Sequence, residues 1–415
     1  MGIWPTIPII VSFWSITGPG DDNSLIAALE HPDRVSRITL LISKSQLGKI
    51  AALMQEPFPV LTHLSITSQL GNVSALPDGF LGGSAPPLQQ LDLCGILYPA
   101  LPTLLSSVSN LVSLRLRNIP PTGYISPEAM VSHVATSPRL KILCIEFDEY
   151  LSFPEITISP PMTRTVLPAL HKFSYSGACK YLEDFISRID TPQLESLDIC
   201  YSWSGDISFD LPQVSEFINR SGALKGSLSK QCKVTVDDDQ DIVSFCVGRI
   251  TSDEAKRWDP KPGISVCLGE VIDTQISHLT NILGFIFPII SDMVHCTIDY
   301  VPRFISGSAF LFDQENKDVL DWLQLFRHLS SLQTLFVSDN MAGLISQAFA
   351  YVDDGMITEL LPALQLFCLE GWEEAEEELP TSSIHKFLAA RQDSGCPVIF
   401  VETREKFEEK HRSYT

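Results

Sequence analysis

One hydrophobic pattern recurs along the chain. It consists of an apolar residue, two variable residues, a second apolar residue, one variable residue and a third apolar residue. Because its last part alternates apolar and variable positions, the pattern predicts a short strand with one buried face. The nine copies begin at Val35, Leu61, Leu88, Leu111, Leu140, Leu170, Leu194, Leu332 and Leu364.

The spacing of the copies predicts a repeat architecture. From Val35 to Leu194 they begin roughly 23 to 30 residues apart, near the period of leucine-rich repeats. Several follow a proline, which cannot continue a helix and marks the start of a strand. Apolar residues at helical spacing predict intervening helices at Ser45–Gln55, Pro127–Thr136, Tyr181–Ile189 and Val319–Leu329. The predicted fold is an α/β leucine-rich-repeat solenoid, or horseshoe, with a parallel concave sheet and helices on the convex side.

The strength of the pattern predicts how the chain is divided. Residues 1–30 are expected to form an N-terminal lead-in or cap, and residues 31–370 the leucine-rich repeats. The pattern is weak over residues 220–330, which are predicted to hold degenerate repeats, with a separate inserted domain as the alternative. Residues 371–415 are predicted to form a C-terminal cap and a polar tail, since a repeat array needs a polar terminal unit.

The variable positions of the strands form the candidate site. Because side chains alternate across a strand, these positions face away from the core, onto the inner surface of the predicted sheet. Arg115 and Arg117 stand out, since arginine is enriched at interface hot spots. The alternative for each residue is a solvated strand face that binds nothing. The predicted partner-binding residues are His63, Gln90, Asp92, Arg115, Arg117, Glu146, Lys172 and Asp198.

Charge and cysteine content narrow the class of partner. The chain has 29 Lys and Arg against 50 Asp and Glu, a formal net charge of −21. Nucleic acid and anionic membranes are therefore not expected as partners, and a protein partner on the concave face is. The ten cysteines contain no C-x-x-C pair and lie mostly in apolar runs, which indicates reduced thiols acting as small hydrophobes in a cytoplasmic or nuclear protein.

Signatures of catalysis are absent from the sequence. It contains no G-x-S-x-G, G-x-x-x-x-G-K-[ST] or H-E-x-x-H motif, and its nine histidines are dispersed. No apolar run is long enough to span a bilayer. We therefore expect a protein that is not an enzyme and that binds no cofactor and no metal.

The order of the repeats resembles a known family. Segments such as Phe58–Ile66 (FPVLTHLSI), Ser137–Ile145 (SPRLKILCI) and Thr191–Ile199 (TPQLESLDI) make the chain similar to the F-box/leucine-rich-repeat proteins of mushroom-forming fungi. The resemblance covers the repeat region and implies a substrate receptor of a ubiquitin ligase. In that family an N-terminal F-box binds the Skp adaptor, whereas the F-box is not found in this sequence.

Three classes of function follow from the resemblance and the composition. The first is the substrate-receptor role, in which Skp binds only if an F-box lies upstream of this chain. The second is an adaptor-free repeat scaffold, or a decayed gene copy, with no role in ubiquitin transfer. The third is an enzyme, for which no residue pattern in the sequence provides support.

Overall fold

The computed structural model shows an α/β protein built from mostly parallel strands and helices. It describes residues 7–14, 22–68, 74–148, 163–201, 211–237, 242–248, 263–269, 279–282, 284, 292–301, 317–352, 356–370 and 382–403. The strands are β1 (Ile9–Trp14), β2 (Val35–Ile42), β3 (His63–Ser68), β4 (Ser74–Ala75), β5 (Gln90–Cys94), β6 (Ile96–Leu97), β7 (Ser113–Ile119), β8 (Ile142–Phe147), β9 (Thr165–Val166), β10 (Lys172–Gly177), β11 (Ile189–Asp190), β12 (Ser196–Tyr201), β13 (Gln231–Asp237), β14 (Ile242–Gly248), β15 (Gly263–Gly269), β16 (His295–Val301), β17 (Thr334–Ser338), β18 (Leu366–Glu370) and β19 (Ile399–Thr403). The helices are α1 (Asp22–Leu29), α2 (Lys44–Leu53), α3 (Leu101–Ser107), α4 (Pro127–Val134), α5 (Cys179–Ser187), α6 (Pro212–Arg220), α7 (Gly222–Ser227), α8 (Lys317–His328), α9 (Asp339–Ala350) and α10 (Ser382–Asp393).

The chain divides into two compact units. The first contains residues 1–195, 204–206 and 220–223, and the second contains the remainder. In the first unit the strand order is β1-β2-β3-β5-β7-β8-β10, and every neighbouring pair is parallel. In the second unit the order is β12-β15-β14-β13-β16-β17-β18-β19. Among the described strands of this unit, only β14 runs antiparallel to its neighbours.

The repeated apolar positions form the core, as the pattern predicts. In all nine copies the three apolar residues expose at most 3% of their surface. The intervening positions are more exposed, so β3 alternates strictly between half-buried and buried side chains. Burying a leucine fully stabilises a fold by about 1.5–3 kcal/mol, and the nine copies therefore contribute a large share of the hydrophobic stabilisation.

Successive strands of the first unit begin with the same backbone contact. The Thr62 carbonyl accepts hydrogen bonds from the amides of Gln89 and Gln90, at 2.8 and 3.0 Å. The Gln89 carbonyl accepts from Val112 and Ser113 in the same manner, at 2.7 and 3.0 Å. The second unit repeats the arrangement at the carbonyls of Val294 and Gln333. The recurrence shows that these strands begin in equivalent local structure.

The prolines lie in turns directly ahead of the strands. The Leu61 amide donates to the Phe58 carbonyl at 3.2 Å, which places Pro59 at the second position of a turn. Proline is favoured there because its fixed φ matches the turn. The same turn precedes Leu140, Leu170 and Leu364.

The predicted helices are present with shifts of a few residues at their ends. They are α2, α4, α5 and α8. Aromatic side chains join helices to one another and to the sheets. The ring centroids of Phe147 in β8 and Tyr181 in α5 lie 4.7 Å apart. Phe349 of α9 stacks on Phe387 of α10 with the ring centroids 4.3 Å apart. Such ring pairs add about 0.5–1.5 kcal/mol each beyond their buried area.

The region of weak repeats departs from the strand–helix alternation. Ile242, Phe245 and Val247 fit the apolar pattern, yet they lie on β14, which is antiparallel to both β13 and β15. The pattern specifies which face is buried and not the direction of the strand. Gly263 permits this pairing, since a Cβ at that position would lie 2.1 Å from the Val247 carbonyl oxygen.

The C-terminal part contains the helix α10 and the strand β19. The Arg391 side chain of α10 is buried and donates hydrogen bonds to the carbonyls of Ile357, Leu360 and Pro362, at 3.2, 3.1 and 3.3 Å. These carbonyls belong to the segment that leads into β18. Residues 371–381 and 404–415 lie outside the described residues, as do 1–6 and 15–21 of the predicted N-terminal lead-in.

Candidate partner-binding surface

The candidate site of the first unit is the side of its sheet opposite the buried leucines. We define the polar face as the side chains that alternate with the motif residues on β2, β3, β5, β7, β8 and β10. The parallel register sets these side chains in rows across the strands. The first row contains Arg37, His63, Gln90, Ser113, Ile142 and Lys172. The second row contains Thr39, Ser65, Asp92, Arg115, Cys144 and Ser174.

A bidentate ion pair lies in the middle of the polar face. Both carboxylate oxygens of Asp92 accept from Arg117 Nη2 at 3.0 Å, and Oδ1 also accepts from Nε at 3.2 Å. About one fifth of each side chain is exposed, 19% for Arg117 and 21% for Asp92. Burial is the largest single influence and lowers the pKa of Arg117, but the combined effect of Asp92, Cys94 and Glu146 holds that pKa above its ordinary value. The guanidinium therefore stays charged and fixed in orientation.

This ion pair is expected to contribute a measurable coupling energy. A double-mutant cycle of Arg117→Ala and Asp92→Ala should give about 1 kcal/mol, the upper end for partly exposed pairs, because the geometry is bidentate. Urea unfolding of the wild type, both single variants and the double variant provides the measurement. Additive single effects would show that the pair makes no net contribution.

Arg115 differs from Arg117 in its contacts. It lies directly opposite Asp92 on one side and Cys144 on the other, and it is half-buried. Asp92 accepts its hydrogen bonds from Arg117, which lies two residues after Arg115 on β7. Within the part of the chain that the structure describes, the Arg115 guanidinium makes no hydrogen bond and no ion pair. Arg115 thus presents five N–H donors at the centre of the polar face.

His63 presents an acceptor on the first row. Thr62 Oγ1 donates its single proton to the Ser36 carbonyl at 3.0 Å, so it accepts from His63 Nδ1 at 2.7 Å. The tautomer assigned by these contacts carries its proton on Nδ1. Burial, followed by the positive charge of Arg37, lowers the pKa of His63 below 6.5. His63 is therefore neutral at pH 7, and its Nε2 is a hydrogen-bond acceptor.

The thiols of the polar face are poor nucleophiles. Burial, followed by the Glu146 carboxylate, raises the pKa of Cys144 to about 12. Burial also raises the pKa of Cys94. Strand alternation places both at half-exposed positions, but each exposes only 9% of its surface, and Cys368 of β18 exposes 1%.

The other predicted residues of the first unit lie on the same polar face. Gln90 is exposed beside His63 in the first row, and Lys172 ends that row. Glu146 pairs in register with Ser176 at the far ends of β8 and β10. Both Glu146 and Lys172 are half-buried. Sequence reasoning did not select Arg37, although the same alternation would have identified it.

Asp198 belongs to the second unit. It lies on β12 in register with Ser265 of β15 and is half-buried. The same sheet contains a second diagonal ion pair, in which Lys233 Nζ lies 3.0 Å from Asp299 Oδ2. Lys233 is in register with Thr297, so its partner Asp299 lies two residues beyond the register position on β16. Arg117 likewise lies two residues beyond Arg115, the register partner of Asp92. Sequence reasoning did not identify this pair, because the register of β13 was not predictable.

No group of three or more His, Cys, Asp or Glu side chains among the described residues is arranged to hold a metal ion. The helices within the described ranges include none with the length and apolar character needed to cross a bilayer.

The chain is similar in structure to a solved leucine-rich repeat-containing protein. No protein-family model and no curated protein matches the chain. Among solved structures, the chain is similar to the leucine-rich repeat-containing protein LegL7 from Legionella pneumophila. The sequences are 12% identical, and the match covers 92% of this chain and 98% of LegL7 with a TM-score of 0.31.

Proposed function

We propose that this chain is a non-catalytic protein-binding module and that the polar face of the first unit contacts the partner. The observation that carries the proposal is the half-buried Arg115, whose guanidinium makes no hydrogen bond or ion pair among the described residues. A partly desolvated arginine with unused donors gains more from an incoming carboxylate than a fully solvated one. Arginine in such a setting is a frequent interface hot spot.

The residues around Arg115 support a polar protein segment as the ligand. The hydroxyl groups of Ser65 and Ser174 lie in the same row, and the Arg117–Asp92 pair fixes the neighbouring charges. His63 Nε2 offers a hydrogen-bond acceptor and Arg115 offers donors. A peptide segment with both amide and carboxylate groups could bind to both. The net charge of −21 disfavours phosphate-rich duplexes, which repel acidic proteins.

The repeated local structure supports a leucine-rich-repeat solenoid as the scaffold. Nine buried motif copies, equivalent carbonyl contacts and recurring proline turns are the features such a solenoid requires. In that architecture the polar face is the concave surface. Binding residues on a rigid sheet lose little conformational entropy when a partner docks.

Binding without catalysis is supported by the chemistry of the polar face. Cys94 and Cys144 have raised pKa values, so their thiolates are scarce at neutral pH. His63 donates to a threonine that is itself bound to a backbone carbonyl, and among the described residues no serine hydroxyl is hydrogen-bonded to His63. These contacts position side chains for recognition.

A substrate-receptor role in a ubiquitin ligase is the more specific form of the proposal. It rests on the resemblance of the repeat segments to the fungal F-box/leucine-rich-repeat family. Its test compares this chain with a version extended upstream by its transcript. If only the extended form co-purifies with the Skp adaptor while both bind a common third protein, the role is supported. If neither form binds Skp, the adaptor-free scaffold is the correct reading.

Charge reversal at Arg115 tests the binding surface. Partners captured from cells by the wild type should bind the Arg115→Glu variant at least about 10-fold more weakly, a loss of about 1.4 kcal/mol or more. Lys49→Glu is the matched control, because Lys49 is exposed on helix α2 and the charge change is identical. Equal binding by both variants would place the contact elsewhere on the molecule.

A further inference from the structure

Two thiols of the second unit face each other on neighbouring strands. Cys200 of β12 and Cys267 of β15 are register partners in a parallel pair. Adjacent strands lie about 4.7–4.9 Å apart, within the range of Cα separations that a disulfide spans. The Cys267 thiol donates a hydrogen bond to Cys200, and this contact contributes to raising the pKa of Cys267 well above its ordinary value. Both residues are half-buried, on the same face of the sheet as Asp198.

We propose that Cys200 and Cys267 are a site of reversible modification by low-molecular-weight disulfides such as oxidised glutathione. The Cys200 thiolate attacks one sulfur of oxidised glutathione, which gives a mixed disulfide and releases one glutathione. The Cys267 thiol then loses its proton, attacks the mixed disulfide at the Cys200 sulfur and releases the second glutathione. The two thiols are oxidised to a Cys200–Cys267 disulfide, and oxidised glutathione is reduced to two glutathione molecules.

The contacts assign the order of the two thiols. Cys200 is the acceptor in the hydrogen bond between the two thiols, so its own proton is not held by Cys267. The hydrogen bond to Cys200, burial and the nearby Asp198 charge raise the pKa of Cys267 well above its ordinary value, so Cys267 keeps its proton longer. Cys200 is therefore the first thiol to react, and Cys267 resolves the mixed disulfide.

The same unit contains a matched pair that is inaccessible. Cys232 of β13 and Cys296 of β16 are also register partners in a parallel pair, and their thiols are hydrogen-bonded. They expose 1% and 0% of their surfaces, because they lie on the leucine side of the sheet. A reagent of the size of glutathione does not reach them in the folded chain.

A third thiol lies near the proposed site and has a different partner. Cys246 of β14 donates to Ser265 Oγ at 3.3 Å. In the antiparallel pairing it is in register with Ser265, whereas Cys267 is in register with Ser244. Cys246 therefore lies two residues along β14 from Ser244, the register partner of Cys267, and is not the resolving thiol.

Peptide mapping of the folded full chain after incubation with oxidised glutathione tests the site. We expect one disulfide joining the peptides of Cys200 and Cys267, a mass decrease of about 2 Da, and full reversal by dithiothreitol. Cys232 and Cys296 should remain alkylatable only after unfolding. A disulfide joining Cys232 to Cys296 or Cys246 to Cys267 at an equal rate, or unmodified Cys200 and Cys267, would overturn the proposal.

Two serine variants test the order of reaction. Cys267→Ser should accumulate the mixed disulfide on Cys200, because the resolving thiol is absent. Cys200→Ser should form at least about 10-fold less glutathione adduct at Cys267. The opposite distribution would reverse the assigned roles and contradict the argument from the contacts. The wild-type mapping decides the proposal by itself if either variant fails to fold.

Discussion

Replacing Leu114 by alanine is expected to lower the unfolding free energy of the first unit by about 2–5 kcal/mol. The Leu114 side chain is fully buried at the central position of a motif on β7. Truncation removes its transfer free energy and leaves a cavity that close-packed neighbours do not fill. Adjacent strands on both sides, β5 and β8, lose packing in the same layer.

Arg115→Ala is the matched control for this prediction. Arg115 is the next residue on the same strand and points to the opposite face. It makes no hydrogen bond or ion pair within the described residues, so its truncation should change stability by no more than about 0.5 kcal/mol. Comparing the two variants shows whether the loss of stability comes from the buried position of Leu114 or from any substitution on β7.

Hydrogen exchange resolved to peptides is the appropriate measurement, since a chain with two compact units need not unfold in one step. Protection of the β5, β7 and β8 amides should fall in Leu114→Ala and persist in Arg115→Ala. Similar losses in both variants would contradict the assignment of the buried face.

Replacing Arg391 by methionine should destabilise the second unit by about 3 kcal/mol. The methionine retains most of the aliphatic volume but removes the donors that hold three backbone carbonyls ahead of β18. A hydrogen bond from a charged donor contributes about 1.5–3 kcal/mol, and a buried carbonyl left without a partner carries a further cost. Arg391 itself exposes 1% of its surface, so water does not readily replace it.

Arg327→Met provides the control for the Arg391 variant. Arg327 lies on α8, is exposed and donates to the Met356 sulfur at 3.6 Å. Its replacement should alter stability by less than about 0.5 kcal/mol. Hydrogen exchange of the β17 and β18 amides after each substitution checks the prediction. Unchanged protection in Arg391→Met would show that the buried arginine does not hold this segment.

The sequence predicted the repeated strands well, because burial of alternate positions depends only on local spacing. Leu64, Leu91 and Leu114 are buried and in register, and Ser65, Asp92 and Arg115 form one row opposite them. The helices α4 and α5 were predicted from apolar residues at helical spacing, which is also a local property of the sequence. Long, strongly periodic segments are the ones that single-sequence reasoning identifies best.

The pairing of individual side chains on the candidate site could not be predicted from the sequence. Asp92 is in register with Arg115 but binds Arg117, since a long guanidinium reaches the diagonal carboxylate with bidentate geometry. The burial of Cys144, which exposes 9% of its surface, likewise does not follow from strand alternation alone. The antiparallel direction of β14 was hidden because its apolar spacing equals that of a parallel strand.

The buried Arg391 shows a further limit of sequence reasoning. A charged residue near the end of an amphipathic helix is typical of a solvated face, and its three carbonyl partners come from a turn about 30 residues earlier in the chain. Only the packed structure brings the helix α10 against that turn. Such capping contacts follow from tertiary packing and leave no local pattern.

Site-specific photocrosslinking tests the central claim, that the polar face of the first unit contacts a protein partner. A benzoyl-phenylalanine placed at Ser65, in the same row as Arg115, should crosslink the partner in cells. The same group at Ala52, which is exposed on α2, is the comparison. Adducts from position 65 that disappear in the Arg115→Glu background, with none from position 52, are the predicted result. Adducts from position 52 alone would contradict the account and place the partner on the helices.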